Sequence, residues 1–183
     1  LFFLAYFFFN DAVITAATNF PIYLEKVFMV RDRTKSFIML GILFTSAIGA
    51  FCSGFVADRV GLKRTLLFIL GTWVLIFPAL AFTSNFKLFV VFTVLMGFMY
   101  GATWTVTRAI MTKICPKEKL NFGFSFYTMA ERASTFVGPI AWGIIIYSLS
   151  GLGSVAYKVS ISFMAIFVVI GIFIFRKIEI KEN

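Results

Sequence analysis

Six long apolar runs, at 1–24, 36–57, 65–83, 88–112, 122–149 and 154–175, alternate with short segments in which most of the charged residues collect. A run of about 20 residues, wound as a helix, is roughly 30 Å long, the thickness of a bilayer's hydrocarbon core. Backbone facing lipid must satisfy its own hydrogen bonds, so each run is expected to be a helix. The pattern predicts an all-α polytopic membrane protein of six transmembrane helices. Its connections are short, with 25–35 and 113–121 the longer ones.

Composition supports this reading and removes others. The 183 residues are 61% hydrophobic and 14% charged, whereas soluble domains run near 45–50% and about 25%. The first expected partner is therefore the lipid bilayer. A net charge of +9 would suggest nucleic acid in a soluble chain. Here the basic residues sit mainly in short loops, where they encode topology, and no nucleic-acid partner is expected. There is no His, and Cys52 and Cys115 have no metal-ligand spacing, so no metal or cofactor is expected. No nucleophile elbow or nucleotide loop is present, so no enzyme is expected. Residue 1 is not Met and already lies in an apolar run, which suggests a piece of a longer chain. That run is not a signal peptide: it lacks a basic start and carries Asn10-Asp11 in its middle.

The basic residues set the orientation. Arg59, Lys63, Arg64, Lys113, Lys117, Lys119, Arg176, Lys177 and Lys181 fall on one side, and Lys26, Arg31, Arg33, Lys35, Lys87 and Lys158 on the other. The richer side is expected to be cytoplasmic and to hold the C-terminus.

Charges at membrane depth are costly and usually face a cavity or a partner. In the first span Asn10-Asp11 lies about 15 Å from the chain start, with Thr15 and Thr18 following on the Asp11 face. In the fifth span Glu131-Arg132 lies at a similar depth. Arg108 lies near the end of the fourth span, where a long side chain reaches the interface. Glu131 and Arg132 admit two readings: a structural ion pair, with each other or with Asp11, or a titrating carboxyl that carries a proton. Asp11 is the preferred carrier, because Arg132 next to Glu131 favours its ionised form. Gly41, Thr45, Gly49 and Ser53 stand four apart on the second span, and Gly97 and Gly101 repeat the device on the fourth. Small residues at that spacing are expected to pack helices closely.

Between the second and third spans runs Gly54-Phe55-Val56-Ala57-Asp58-Arg59-Val60-Gly61-Leu62-Lys63-Arg64. Gly61 suits a tight reversal, and the charges are expected to hold a turn of about seven residues among the headgroups. The pattern of Gly54, Asp58, Arg59, Gly61, Lys63 and Arg64 resembles the signature loop of the major facilitator superfamily. Leu62 stands where that family usually has another basic residue. Leu4 to Asp11, Gly101-Ala102-Thr103 leading to Arg108, Pro116, and Glu131 to Pro139 further resemble its vacuole effluxer branch. Ala12 and Trp104 depart from that branch, which more often has Gly and Gln there.

The resemblance covers essentially the whole chain. It implies helices seven to twelve of a twelve-helix transporter, with the N-terminal six-helix half as partner. It also implies a secondary transporter, in a bacterial inner membrane, that moves a small solute by alternating access. Amino acids are a candidate substrate and a proton a candidate coupling ion. The implied pathway residues are Asn10, Asp11, Thr15, Thr18, Trp104, Arg108, Glu131 and Arg132, with the signature loop as conformational lock. A non-functional remnant, or a half that pairs with a separately encoded partner, fits the residues as well. A channel would need a filter or charged ring, and none is visible.

Overall fold

The structure is a computed structural model that describes residues 1–180. Lys181, one of the topology-setting basic residues, lies outside the described residues. The helices are α1 (Phe2–Phe28), α2 (Asp32–Val60), α3 (Leu62–Phe82), α4 (Phe86–Ile114), α5 (Leu120–Ala133), α6 (Val137–Ser148) and α7 (Ser154–Arg176). Short 3-10 turns stand at Lys117–Lys119 and Ser150–Leu152. Helices α2, α3, α4 and α7 are each long and apolar enough to cross a membrane. α1, at 27 residues, has the length, its apolar run interrupted chiefly at Asn10-Asp11 and Asn19. The fifth and sixth helices together occupy the fifth apolar run, so the architecture is the expected six-span helical bundle.

The fifth run is where the expectation needs correction. The sequence pattern predicts one helix over 122–149, but the chain breaks at Ser134-Thr135-Phe136. Pro139 explains the break. It has no N–H, and in a continuous helix its ring would collide with the carbonyl four residues back, that of Thr135. Placed in the first turn of α6, Pro139 meets neither problem, since those N–H groups have no intrahelical partner. The resulting pieces, of 14 and 12 residues, are each too short to span alone.

The signature turn is also tighter than expected. Helix α2 runs to Val60 and α3 starts at Leu62, leaving Gly61 alone between them, at φ 96° and ψ 147°. A side chain would strain those angles, so glycine is needed here. Asp58 and Arg59 therefore ride on the last turn of α2, and Lys63 and Arg64 on the first turn of α3. The Lys63 ammonium donates to the carbonyl of Arg176 at 3.1 Å and so caps the end of α7.

Helix α1 packs chiefly on α7 and also meets α5 and α6; α3 lies against both α7 and α4. Phe9, Phe20, Tyr23, Trp73, Phe77 and Phe175 are fully buried in the resulting core. Phe20 and Tyr23 stack on Phe89 of α4, each with ring centroids 5.9 Å apart. Helix α2 is held differently: it lies on α4 with only Gly49, Ser53 and Ala57 buried. A Cβ on Gly49 would overlap the Phe98 carbonyl, one on Gly97 the Thr45 hydroxyl, and one on Gly101 the Ser46 carbonyl. The small residues thus let two backbones touch, while Gly41 has nothing near it. Ile38, Met39 and Ile42 are partly buried against the core, while Phe37, Leu43, Phe44 and Phe51 are exposed.

Candidate functional site

The polar residues of α1 meet the break between α5 and α6. Asn10 and Asp11 are buried in the bundle. The Gly138 N–H, a free donor in the first turn of α6, donates to the Asp11 carboxylate at 2.6 Å. The Thr15 hydroxyl reaches the same carboxylate at 3.5 Å. The Asn10 side-chain amide donates to the Ser134 hydroxyl at 2.6 Å, and that hydroxyl donates to the Glu131 carbonyl at 2.8 Å. Asp11 caps α6 across the helix interface, where the helix dipole favours a negative charge. A Cβ on Gly138 would run into Thr15 and Asp11, so the glycine admits the carboxylate. The Asn10 Oδ1 atom is buried without a partner among the described residues.

Arg132 is exposed on the far side of this contact, and its carbonyl accepts from the Thr135 hydroxyl at 2.8 Å. The Arg132–Asp11 pair considered from sequence is not formed, nor is Glu131–Arg132. Ion pairs among the described residues gather instead at the α1–α2 junction, where Lys35 holds Asp32 at 2.9 Å and Glu25 at 3.1 Å. Adjacent residues point about 100° apart on a helix, and the break turns the chain away just beyond Arg132.

A second group of side chains lies along α4 and α5, partly open to the surface. Trp104 of α4 packs on Tyr100 one turn away, with centroids 4.7 Å apart. The exposed Arg108 guanidinium lies over the Trp104 ring at 5.8 Å. Stacking on the indole holds the cation beside an apolar surface while leaving it open to a ligand. The Trp104 indole N–H is buried without an acceptor among the described residues. Glu131 is half-buried on α5. Thr18 is exposed on α1, its hydroxyl turned back to the Ile14 carbonyl at 2.9 Å.

The eight expected pathway residues thus divide in two. Asn10, Asp11 and Thr15 lock the helix break, while Thr18, Arg108 and Arg132 are exposed and Trp104 and Glu131 half-buried. Sequence reasoning missed Ser134, Gly138 and Tyr100. The Gly138-Pro139 pair did signal a break, but not which carboxylate would cap it. At the signature turn, Asp58, Arg59 and Arg64 are exposed. Beside them a polar cleft of about 370 Å³ runs between the turn, Lys113 and Ile180.

Comparison with known proteins agrees with this architecture. The family model described as Major Facilitator Superfamily matches residues 2–182. The chain is 26% identical over 144 residues to the putative transporter YdfJ of Escherichia coli, covering 74% of this chain and 34% of that protein. It is 22% identical over 164 residues to autophagy-related protein 22 of Eremothecium gossypii, covering 82% of this chain and 31% of that protein. Among solved structures, the inward-open xylose transporter XylE from E. coli superposes with a TM-score of 0.80 at 14% identity. That match covers 98% of this chain and 47% of XylE, and shows the fold alone. The chain therefore spans about a third of these curated relatives and about half of XylE. It is a multi-pass membrane protein.

Proposed function

Because this chain belongs to the Major Facilitator Superfamily, we propose that it is the C-terminal six-helix half, helices seven to twelve, of a secondary transporter. It moves a small organic solute across a bacterial inner membrane by alternating access, with its C-terminus in the cytoplasm. The observation that carries this reading is the exposed Arg108 stacked on the half-buried Trp104, with Glu131 half-buried on α5, a surface over which a second six-helix half would close on a solute. In transporters of repeated halves the substrate sits near the midplane between them.

Arg108 offers a guanidinium to a carboxylate, and Glu131 offers a carboxylate to an ammonium, so amino acids are a substrate class the face would accept. Proton coupling falls to Glu131 rather than Asp11. The Asp11 carboxylate is occupied by the Gly138 N–H inside the bundle, whereas Glu131 is half-exposed near the solute face. Asp58, Arg59, Lys63 and Arg64, brought together around Gly61, form the conformational lock at the cytoplasmic end.

The test uses the full transporter in vesicles, with labelled amino acids and an imposed pH gradient. Glu131→Gln should abolish the response to the gradient and spare exchange of solute for solute, which moves no net proton. A full response in Glu131→Gln rejects Glu131 as carrier, and absence of any uptake by the wild type rejects the substrate class.

A further inference from the structure

An apolar cleft of about 290 Å³ opens between the first four helices. Its walls include Ala17 and Thr18 of α1, Ile42 and Leu43 of α2, Trp73 of α3 and Tyr100 of α4. We propose that this cleft receives the apolar body of an amphipathic organic solute whose carboxylate rests on Arg108. The proposal builds on the reading of this face as the solute path and adds a subsite and a shape of substrate.

Three observations point to such a ligand. The wall at Trp73 is fixed, because its indole N–H donates to the Thr103 hydroxyl at 3.0 Å deep in the bundle. The cleft is continuous with a strip of aromatic surface, since Tyr100 both lines it and stacks on Trp104. The strip ends on a cation, the Arg108 guanidinium over Trp104. Tyr100, Trp104 and Arg108 stand one turn apart, so the strip covers about 12 Å of α4. That suits a ring or short alkyl body with a carboxylate at its far end. The competing charge is Glu131 on α5, half-buried, which would favour a cation instead. Arg108 is the group stacked on the strip itself, and so the geometry selects the anion.

A lipid acyl chain shares the chemistry of the apolar body, and the experiment separates the two. The full transporter in lipid nanodiscs is titrated by calorimetry with phenylhexanoate and with phenylhexylammonium, which differ in the sign of the charge. Phenylhexanoate should bind at least tenfold tighter than the amine. Ala17→Phe and Leu43→Trp, which fill the cleft from opposite walls, should each weaken it at least tenfold, and Arg108→Gln should erase the preference for the acid. Equal binding of acid and amine, or unchanged affinity in both filled variants, overturns the proposal. Loss of a co-purifying lipid in the filled variants, by native mass spectrometry, with phenylhexanoate affinity intact, assigns the cleft to lipid and also overturns it. If the filled variants bind normally while Glu131→Gln still uncouples transport, the transporter reading stands and this inference alone falls.

Discussion

Removal of the Asp11 carboxylate tests the contact that holds the broken fifth span in place. Asp11→Ala leaves the buried Gly138 N–H without the acceptor it now meets at 2.6 Å, and frees the Thr15 hydroxyl as well. An unsatisfied buried donor costs about 1–3 kcal/mol, and lipid supplies no water to replace the lost partner. A loss of about 2–3 kcal/mol is therefore expected for Asp11→Ala. Asp11→Asn keeps an acceptor oxygen but not the charge. A neutral hydrogen bond is roughly half as strong as a charge-assisted one, so the expected loss falls to about 1 kcal/mol. Gly138→Ala attacks the same contact from the other side, because its Cβ would overlap Thr15 and Asp11. Since both changes remove one interaction, Asp11→Ala with Gly138→Ala should be clearly non-additive. The measurement is thermal or denaturant unfolding of the full transporter in detergent, followed by cysteine accessibility in α6. If Asp11→Asn matches Asp11→Ala, or the double variant is simply additive, the trans-capping argument is wrong.

Other expectations follow from the remaining contacts. Gly101→Leu should break the seam between α2 and α4 and cost about 1–3 kcal/mol or more by overpacking. Gly41→Ala, with open space around it, should be neutral or gain up to about 1 kcal/mol of helix propensity in the same unfolding assay. Asp58→Asn should slow transport in vesicles without reducing membrane insertion, and unchanged rates in both directions would remove the turn from the conformational lock. Cysteines near Lys63 and Lys117 should label from the cytoplasmic side and those near Arg33 and Lys87 from the other. Labelling of positions 63 and 33 from one side would refute the six-span topology.

Much of the architecture could be read from the order of residues, because a bilayer imposes one dominant constraint. A stretch long and apolar enough to cross lipid has to be helical wherever it sits, so the spans, the Gly61 reversal and the close-packing role of Gly49, Gly97 and Gly101 are local matters. What local pattern does not contain is direction around a helix and the identity of partners in other helices. Asp11 and Glu131 look alike as intramembrane carboxyls in the chain, yet one caps α6 through Gly138 and the other is half-exposed on α5. Arg132 is a plausible mate for Asp11 until the Ser134–Phe136 break is seen to turn the chain away from that pairing. Tyr100 is one apolar position among many in the fourth run, and only the packing of four helices makes it both a cleft wall and the first step of the strip to Arg108. Helix formation is decided by hydrogen bonds within a few residues, whereas these roles depend on contacts across more than a hundred.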